Sequence, residues 1–242
     1  VGSEMCIRDR ESNILVAIEN GTQMEKDEPL FKNTAPYIDE LIKIVEYYNK
    51  KYNKEVLELV KEYDNMYGAL GIHPETVDDY SLDDIEFIKN NLSNEKIVAI
   101  GEIGLDYYWN KENKQNQKSA FIKQIEIANE LELPIVIHTR EAISDTIDIL
   151  KNQITVVNKG IFHCCPLNLD LIREGLKLGF YISFAGPITF KNSKNATEAI
   201  SLVPLDRILV ETDSPYLAPE PKRGTRTVSY THLRAHETSA HL

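Results

Sequence analysis

Five side chains that could bind a metal ion follow five short apolar runs in the sequence. His73 follows "LGI", Glu102 follows "AIG", His138 follows "IVI", His163 follows "GIF", and Asp213 comes directly after "LVET". Imidazole nitrogens and carboxylate oxygens together suit a divalent transition metal such as zinc or manganese. One histidine after an apolar run is usually a core residue, but five such residues in equivalent positions predict one shared site.

Glu102 is the most informative of these residues. It lies in "IVAIGEIGLD", a run whose apolar residues predict a buried strand. Glutamate is almost never fully buried unless it is paired or bound to a metal, because burial of a charge costs free energy. A bound cation would offset that cost.

The apolar runs alternate with helical patterns along the chain. Seven strands are predicted to start at residues 14, 67, 97, 133, 160, 180 and 208, with helices at 39–63, 81–92, 114–132, 142–152, 169–179 and 196–204. Continuous apolar strands separated by helices indicate a parallel sheet that is buried on both faces. The expected fold is therefore α/β, a TIM-type (β/α) barrel, in which the strands' C-terminal ends meet at one mouth. No glycine-rich phosphate fingerprint follows the first strand, which disfavours a dinucleotide-binding fold.

Composition excludes several other classes of protein. The formal net charge is −11, from 27 Lys and Arg against 38 Asp and Glu, which disfavours a protein that coats nucleic acid. Three cysteines suggest no disulfide framework, so a cytoplasmic location is expected. No apolar run approaches the roughly 20 residues of a membrane span, and no obligate protein partner is evident.

Several of these segments together resemble the TatD family of metal-dependent hydrolases. The similar segments are "GIHPE", "GEIGLDYYW", "PIVIHTREA", "GIFHC", "LVETDSPYLAP" and "PKRGTR", in that order. The resemblance implies a TIM-type barrel, a site for two divalent metal ions (Mg, Mn or Zn) and deoxyribonuclease or phosphodiesterase activity. Some relatives deacylate mischarged tRNA, so the implied partner is nucleic acid, either DNA or tRNA.

The resemblance also implies roles for single residues. Glu102 would bridge two metal ions, and His138 and His163 would bind one of them. Asp213 would bind the other ion and handle the proton of the attacking water, so Asp213 and Glu102 are the predicted catalytic residues. Substrate phosphate would be met by His73, Arg140 and Arg223.

The sequence departs from the family pattern at both ends. The family's first strand usually ends in His-x-His, and no such pair precedes "ILVAIE", so we expect an incomplete barrel whose first strand is missing. Residues 1–10 ("VGSEMCIRDR") and 228–242 ("VSYTHLRAHETSAHL") resemble translated adapter sequence. The expected organisation is thus a hydrolase barrel over residues 11–227 between two foreign segments, and the histidines of the last segment are not counted as a metal site.

Three functions stay open from the sequence. The first is metal-dependent hydrolysis of phosphodiester bonds in DNA by a metal-activated water. The second is D-aminoacyl-tRNA deacylation by the same residues acting on an ester. The third is a truncated fragment without catalytic activity, and a sugar-phosphate isomerase is disfavoured because it would not need this set of His, Glu and Asp.

Overall fold

The computed structural model describes residues 4–8, 15–19, 43–45, 50–64, 66–211 and 217–225. Nine strands form one sheet in which spatial order follows chain order. The strands are β1 (Glu4–Arg8), β2 (Leu15–Glu19), β3 (Lys43–Val45), β4 (Met66–Leu70), β5 (Ile97–Asp106), β6 (Ile135–Arg140), β7 (Gly160–Phe162), β8 (Tyr181–Phe184) and β9 (Ile208–Val210).

Every neighbouring pair from β2 to β9 is parallel, whereas β1 runs antiparallel to β2. Cα atoms of β1 and β9 approach within 8 Å, which brings the two ends of the sheet together. The predicted α/β fold of the TIM-barrel type is therefore confirmed.

Helices follow most of the described strands and supply the crossover connections that parallel strands need. They are α1 (Lys50–Glu62), α2 (Leu82–Asn91), α3 (Lys114–Glu130), α4 (Ile143–Asp148), α5 (Leu169–Lys177) and α6 (Ala196–Leu202). A π-helix (Ile149–Gln153) continues α4, and two 3-10 turns are formed by Pro74–Thr76 and Gly186–Thr189. Among the described residues no helix is both long and apolar enough to cross a bilayer.

The core explains why the strands have continuous apolar sequences. Ile100, Ile103 and Leu105 of β5 are fully buried, as is Phe121 of α3, which packs against that strand. Because side chains alternate between the two faces of a strand, complete burial shows that both faces of β5 are covered. One face meets the helices, and the other faces the interior of the barrel.

The helix predicted for residues 39–63 is wrong at residues 43–45. Lys43–Val45 forms β3, which pairs with β2 and with β4, and α1 spans Lys50–Glu62. Ile44 and Val45 are β-branched, and pairing on both sides outweighs the weak helical periodicity of the segment. The described residues thus contribute eight parallel strands to the sheet instead of the seven predicted, so the strand count alone does not require a missing strand.

Within the first ten residues, which resemble adapter sequence, Glu4–Arg8 forms a strand that pairs with β2. Whether residues 1–10 and 228–242 are foreign to the barrel stays a prediction, and residues 228–242 lie outside the described part of the chain.

Gly160 begins β7 where the backbone of β6 comes very close. A Cβ atom at this position would lie 1.8 Å from the carbonyl oxygen of Ile135. At Gly224 nothing lies within 4 Å of such an atom, although the φ angle of +85° favours glycine there. We expect Gly160→Ala to lower the free energy of unfolding by about 3 kcal/mol or more, because backbone must move.

The matched variant Gly224→Ala should cost only about 1 kcal/mol, because the strain is confined to one backbone conformation. Urea unfolding of both variants measures the difference. Equal losses in the two variants would contradict the close packing of β6 against β7.

Candidate metal centre

The buried carboxylate of Glu102 is the centre of a cluster of histidines. Its Oε1 atom lies 3.2 Å from Nδ1 of His138 and 3.4 Å from Nε2 of His163. Its Oε2 atom lies 3.7 Å from Nε2 of His73. Four predicted site residues, from β5, from β6 and from the ends of β4 and β7, therefore meet at the C-terminal mouth of the sheet.

His138 and His163 each present their second ring nitrogen to a further carboxylate. Nε2 of His138 lies 2.9 Å from Oδ2 of Asp106, and Nδ1 of His163 lies 3.2 Å from Oε2 of Glu211. Histidines that bind metals usually donate the other ring N–H to a carboxylate, which fixes the tautomer and the ring orientation. In both histidines, one ring nitrogen thus faces Glu102 and the other contacts a second carboxylate.

The two outer carboxylates are themselves fixed. Oδ1 of Asp106 accepts hydrogen bonds from the backbone N–H groups of Tyr108 (2.9 Å) and Trp109 (3.2 Å). Glu211 accepts from the hydroxyl of Ser183 at 2.7 Å and from the backbone N–H of Cys164. Each imidazole therefore contacts a carboxylate whose orientation is fixed by its own hydrogen bonds.

His73 differs from the other two histidines. Its Nδ1 accepts a hydrogen bond from the backbone N–H of Glu75 at 3.2 Å. Burial, with a smaller contribution from His138, lowers the pKa of His73 to about 3, so its ring is neutral and the proton lies on Nε2. This N–H points toward Glu102. His73 therefore suits a donor to the carboxylate better than a metal ligand, although ligand atoms of His73, Glu102 and His138 all lie within 4.8 Å of one another.

The histidines set the charge of Glu102. Burial acts to raise the pKa of Glu102, but His163, His138 and His73 outweigh it and hold that pKa well below its usual range. Burial acts to lower the pKa of His138, while its hydrogen bonds to Asp106 and Glu102 raise it to about 9. Glu102 is therefore ionised at neutral pH despite being 1% exposed.

Formal charges in the cluster do not balance. The carboxylates of Glu102, Asp106 and Glu211 carry three negative charges, whereas His138 and His163 together supply at most two positive charges and His73 is neutral. All three carboxylates are buried. An excess of buried negative charge next to imidazole nitrogens is what a divalent cation offsets, so the residues present fit a metal ion.

Buried amide side chains hold the backbone that leads to His73. Asn53 of α1 donates to the carbonyl of Gly71 and accepts from its N–H, at 3.1 and 3.3 Å. Gln124 of α3 does the same for Ile72, at 3.1 and 2.7 Å. These amides replace the pairing that the backbone loses where β4 ends, so buried backbone groups stay bonded.

Gln117 of α3 makes the equivalent pair with Asp106. Its Oε1 accepts from the N–H of Asp106 at 2.8 Å, and its Nε2 donates to the carbonyl of Asp106 at 2.9 Å and to Asn113 at 2.7 Å. Gln117 is fully buried. It therefore positions the carboxylate that orients His138.

The remaining predicted site residues either are exposed or lie outside the described residues. Arg140, at the end of β6, is exposed, and its guanidinium lies 3.9 Å from the ring centre of Tyr108. Arg223 is exposed and lies over Phe190 at 4.2 Å. Asp213 lies outside the described residues. The roles predicted for these residues stay predictions, as do the ligand roles of Glu102, His138 and His163 and the contact of His73 with substrate.

Sequence reasoning missed Asp106, Glu211 and the three amides. Asp106 is the last residue of the strand that contains Glu102, and Glu211 is two residues before Asp213. Residues two apart in an extended segment share a face, so Glu211 could have been grouped with Asp213. Gln117 and Gln124 gave only a weak signal, as polar residues on the buried side of an amphipathic helix.

The sequence model of the family described as TatD related DNase matches residues 7–240. The chain belongs to this family. It is 46% identical over 170 residues to the uncharacterized metal-dependent hydrolase YabD of Bacillus subtilis. The aligned region covers 70% of this chain and 67% of that protein. It is 44% identical over 167 residues to the uncharacterized metal-dependent hydrolase YcfH of Escherichia coli K12, covering 69% and 62%. The chain thus spans about two thirds of the length of these curated relatives.

Solved structures of two TatD-family proteins have a similar fold. The crystal structure of YJJV, a TatD homologue from Escherichia coli K12, superposes with a TM-score of 0.75 at 27% identity, over 80% of this chain and 75% of that one. A TatD-family hydrolase from Entamoeba histolytica gives a TM-score of 0.64 at 24% identity, over 75% of this chain and 63% of that one. This second comparison shows a likeness of fold alone.

The amide of Gln117 supplies a stability test. We expect Gln117→Leu to lower the free energy of unfolding by at least about 2 kcal/mol, because it leaves both backbone groups of Asp106 buried without partners. The same substitution at exposed Gln115, on the same helix, should change it by less than about 0.5 kcal/mol. Chemical unfolding measures both, and a loss at Gln117 no larger than at Gln115 would show that the amide does not hold Asp106.

Proposed function

We propose that this protein is a metal-dependent hydrolase that cleaves phosphodiester bonds in nucleic acid, with DNA as its substrate. The observation that carries the proposal is the position of Glu102 Oε1 between two imidazoles, each backed by a buried carboxylate. Membership of the TatD related DNase family supports both the metal and the reaction class.

Nitrogen and carboxylate oxygen donors together favour zinc or manganese, while magnesium prefers oxygen donors. Glu102, His138 and His163 would hold one ion, and Glu102 with Asp213 would hold a second. A bound divalent cation lowers the pKa of its water toward about 7 and stabilises charge on the phosphoryl oxygens. A site that bound only magnesium would not need two imidazole ligands.

The protein's own residues then have distinct tasks. Asp106 and Glu211 hold the rings of His138 and His163 in position, and Nε2 of His73 faces the other carboxylate oxygen of Glu102 at 3.7 Å. Asp213 accepts the proton released by the attacking water. No group on the protein needs to form a covalent intermediate.

A chain with a net charge of −11 can still bind a polyanion if the positive charge is local. Arg140 and Arg223 are exposed cations, and exposed Lys111 forms an ion pair at 3.3 Å with Glu141, the residue that follows Arg140 in the chain. These cations would contact phosphates next to the bond that is cleaved. A cytoplasmic location, consistent with three cysteines and no disulfide framework, is part of the proposal.

Metal binding tests the first step. Titration calorimetry of the metal-stripped chain with Zn²⁺ or Mn²⁺ should show binding that Glu102→Gln weakens at least about tenfold, because the amide keeps the size but loses the charge. The matched variant Glu112→Gln, at an exposed position after β5, should bind as the original chain does. Equal affinity in both variants would contradict a ligand role for Glu102.

Activity tests the second step. The metal-stripped chain should cleave an end-labelled DNA oligonucleotide only after Mg²⁺, Mn²⁺ or Zn²⁺ is added, and Glu102→Gln should reduce the rate at least about 100-fold. Glu112→Gln, purified in the same way, controls for contaminating nucleases. Cleavage that persists in chelator would overturn the proposal, and cleavage of D-aminoacyl-tRNA without cleavage of DNA would replace it with the ester reaction.

A further inference from the structure

A cavity of about 700 Å³ lies at the end of the sheet opposite the metal centre. Its inner wall is formed by residues 98–99 of β5, 135–136 of β6 and 160–161 of β7, which lie at or next to the N-terminal ends of these strands, and by Tyr181, the first residue of β8. The metal centre lies toward the C-terminal ends of the same sheet. We call this space the basal cavity.

The basal cavity has the size of a ligand site. Small-molecule pockets in proteins usually enclose about 300–1,000 Å³. In barrels of this type the chemistry takes place at the C-terminal face, and the N-terminal face serves stability. The proposed hydrolase activity therefore does not account for a cavity at this end of the barrel.

Small side chains leave room inside the barrel. Ala69, Ala99, Val136, Ile161 and Leu209 form an apolar cluster that is separate from the main core. Val136 and Ile161 each come two residues before a histidine of the metal centre, so alternation along a strand places the cluster inside the barrel, one layer below the centre. Such layers usually hold bulky branched side chains, whereas two positions here are alanine. An apolar cavity stays dry and binds hydrocarbon, which restores the missing dispersion contacts.

Two cations lie at the rim of the basal cavity. Lys159 directly precedes β7, and Arg207 directly precedes β9. Arg207 donates a hydrogen bond to the carbonyl of Gly179 at 2.9 Å, and its guanidinium carbon lies 5.0 Å from the ring centre of Tyr181. The ammonium of Lys159 donates to the carbonyl of Val156. These contacts hold both cations in place without neutralising their charge.

The rim is therefore a positive site on an acidic chain. The described residues that line the basal cavity include Lys159 and Arg207 and no aspartate or glutamate, although the formal net charge of the chain is −11. Both cations have more N–H groups than their bonds to carbonyls use. Two neighbouring cations without a carboxylate attract an anion, and a guanidinium can bind a carboxylate with two parallel hydrogen bonds.

We propose that the basal cavity binds a carboxylate with a hydrocarbon chain, such as a medium-chain fatty acid. The chain lies against Ala99, Val136 and Ile161 inside the barrel, and the carboxylate lies between Lys159 and Arg207 at the rim. Binding here requires neither a metal ion nor hydrolysis, so this site and the proposed activity are tested separately.

The apolar inner wall favours a hydrocarbon over a nucleotide. A nucleoside monophosphate could offer its phosphate to the same two cations. Its base would then place polar edge groups against the aliphatic side chains of Val98, Ala99, Val136 and Ile161, and burying such groups without hydrogen bonds costs free energy. A hydrocarbon chain has no such groups.

Calorimetry with two ligands of equal chain length tests the proposal. The full chain in chelator is titrated with octanoate, with octanol and with thymidine monophosphate. Octanoate should bind at least about tenfold more tightly than octanol, because only octanoate pairs with the two cations. Equal affinity for octanoate and octanol, no binding of octanoate, or tighter binding of thymidine monophosphate than of octanoate would overturn the proposal.

Nuclear magnetic resonance locates the ligand. In the chain labelled at isoleucine and valine methyl groups, bound octanoate should give intermolecular Overhauser effects to Val136 and Ile161. Ile88 of α2, a buried residue of the main core, is the control and should give none. Effects confined to methyl groups outside the basal cavity would contradict the assignment of the site.

Substitutions test the two cations. The double variant Lys159→Gln, Arg207→Gln should weaken octanoate binding at least about tenfold and leave octanol binding unchanged, because it removes charge from the rim alone. The matched double variant Arg173→Gln, Lys177→Gln removes two exposed cations of α5 and should keep the preference for octanoate. Both ligands are measured on one preparation, so a partly unfolded sample does not change the ratio of their dissociation constants. Equal weakening of octanoate and octanol would overturn recognition of the carboxylate by these cations.

Discussion

The structure depends on one constraint, which is that a charged carboxylate is buried in the mouth of the barrel. Glu102 is 1% exposed, and a charge so far from water costs several kcal/mol unless other charges and hydrogen bonds surround it. His138 and His163 approach one oxygen and His73 approaches the other. These residues come from four neighbouring strands, Glu102 and His138 from within β5 and β6 and His73 and His163 from just beyond β4 and β7, and the parallel sheet brings them together.

Asp106 connects three parts of the molecule that would otherwise be independent. Its side chain orients His138, its backbone is held by Gln117 of α3, and it accepts the N–H groups of the loop that carries Tyr108 and Trp109. A displacement of this residue would move a histidine of the centre and the loop of Tyr108 and Trp109 together. Misplacement by about 1 Å at a reacting site can cost on the order of 100-fold in rate, so such anchoring has a functional reason.

The sequence predicted the fold and the convergence of His73, Glu102, His138 and His163, because strand-end positions follow from apolar runs and parallel strands share one mouth. It did not predict β3, since three residues are too few for periodicity to separate a strand from a helix. It also missed Gln117 and Gln124, whose function is to bond particular backbone groups of Asp106 and Ile72. Such bonds depend on how α3 packs against the strands, and spacing along the chain does not reveal them.

The central proposal is that Glu102, buried and ionised beside its histidines, binds a metal ion together with His138 and His163. Anomalous diffraction from crystals grown with Zn²⁺ or Mn²⁺ tests this most directly. The account predicts an anomalous peak at roughly 2.0–2.2 Å from a carboxylate oxygen of Glu102 and from one ring nitrogen each of His138 and His163. Saturating metal with no peak beside Glu102, or a peak bounded by His73 instead of His163, would contradict it.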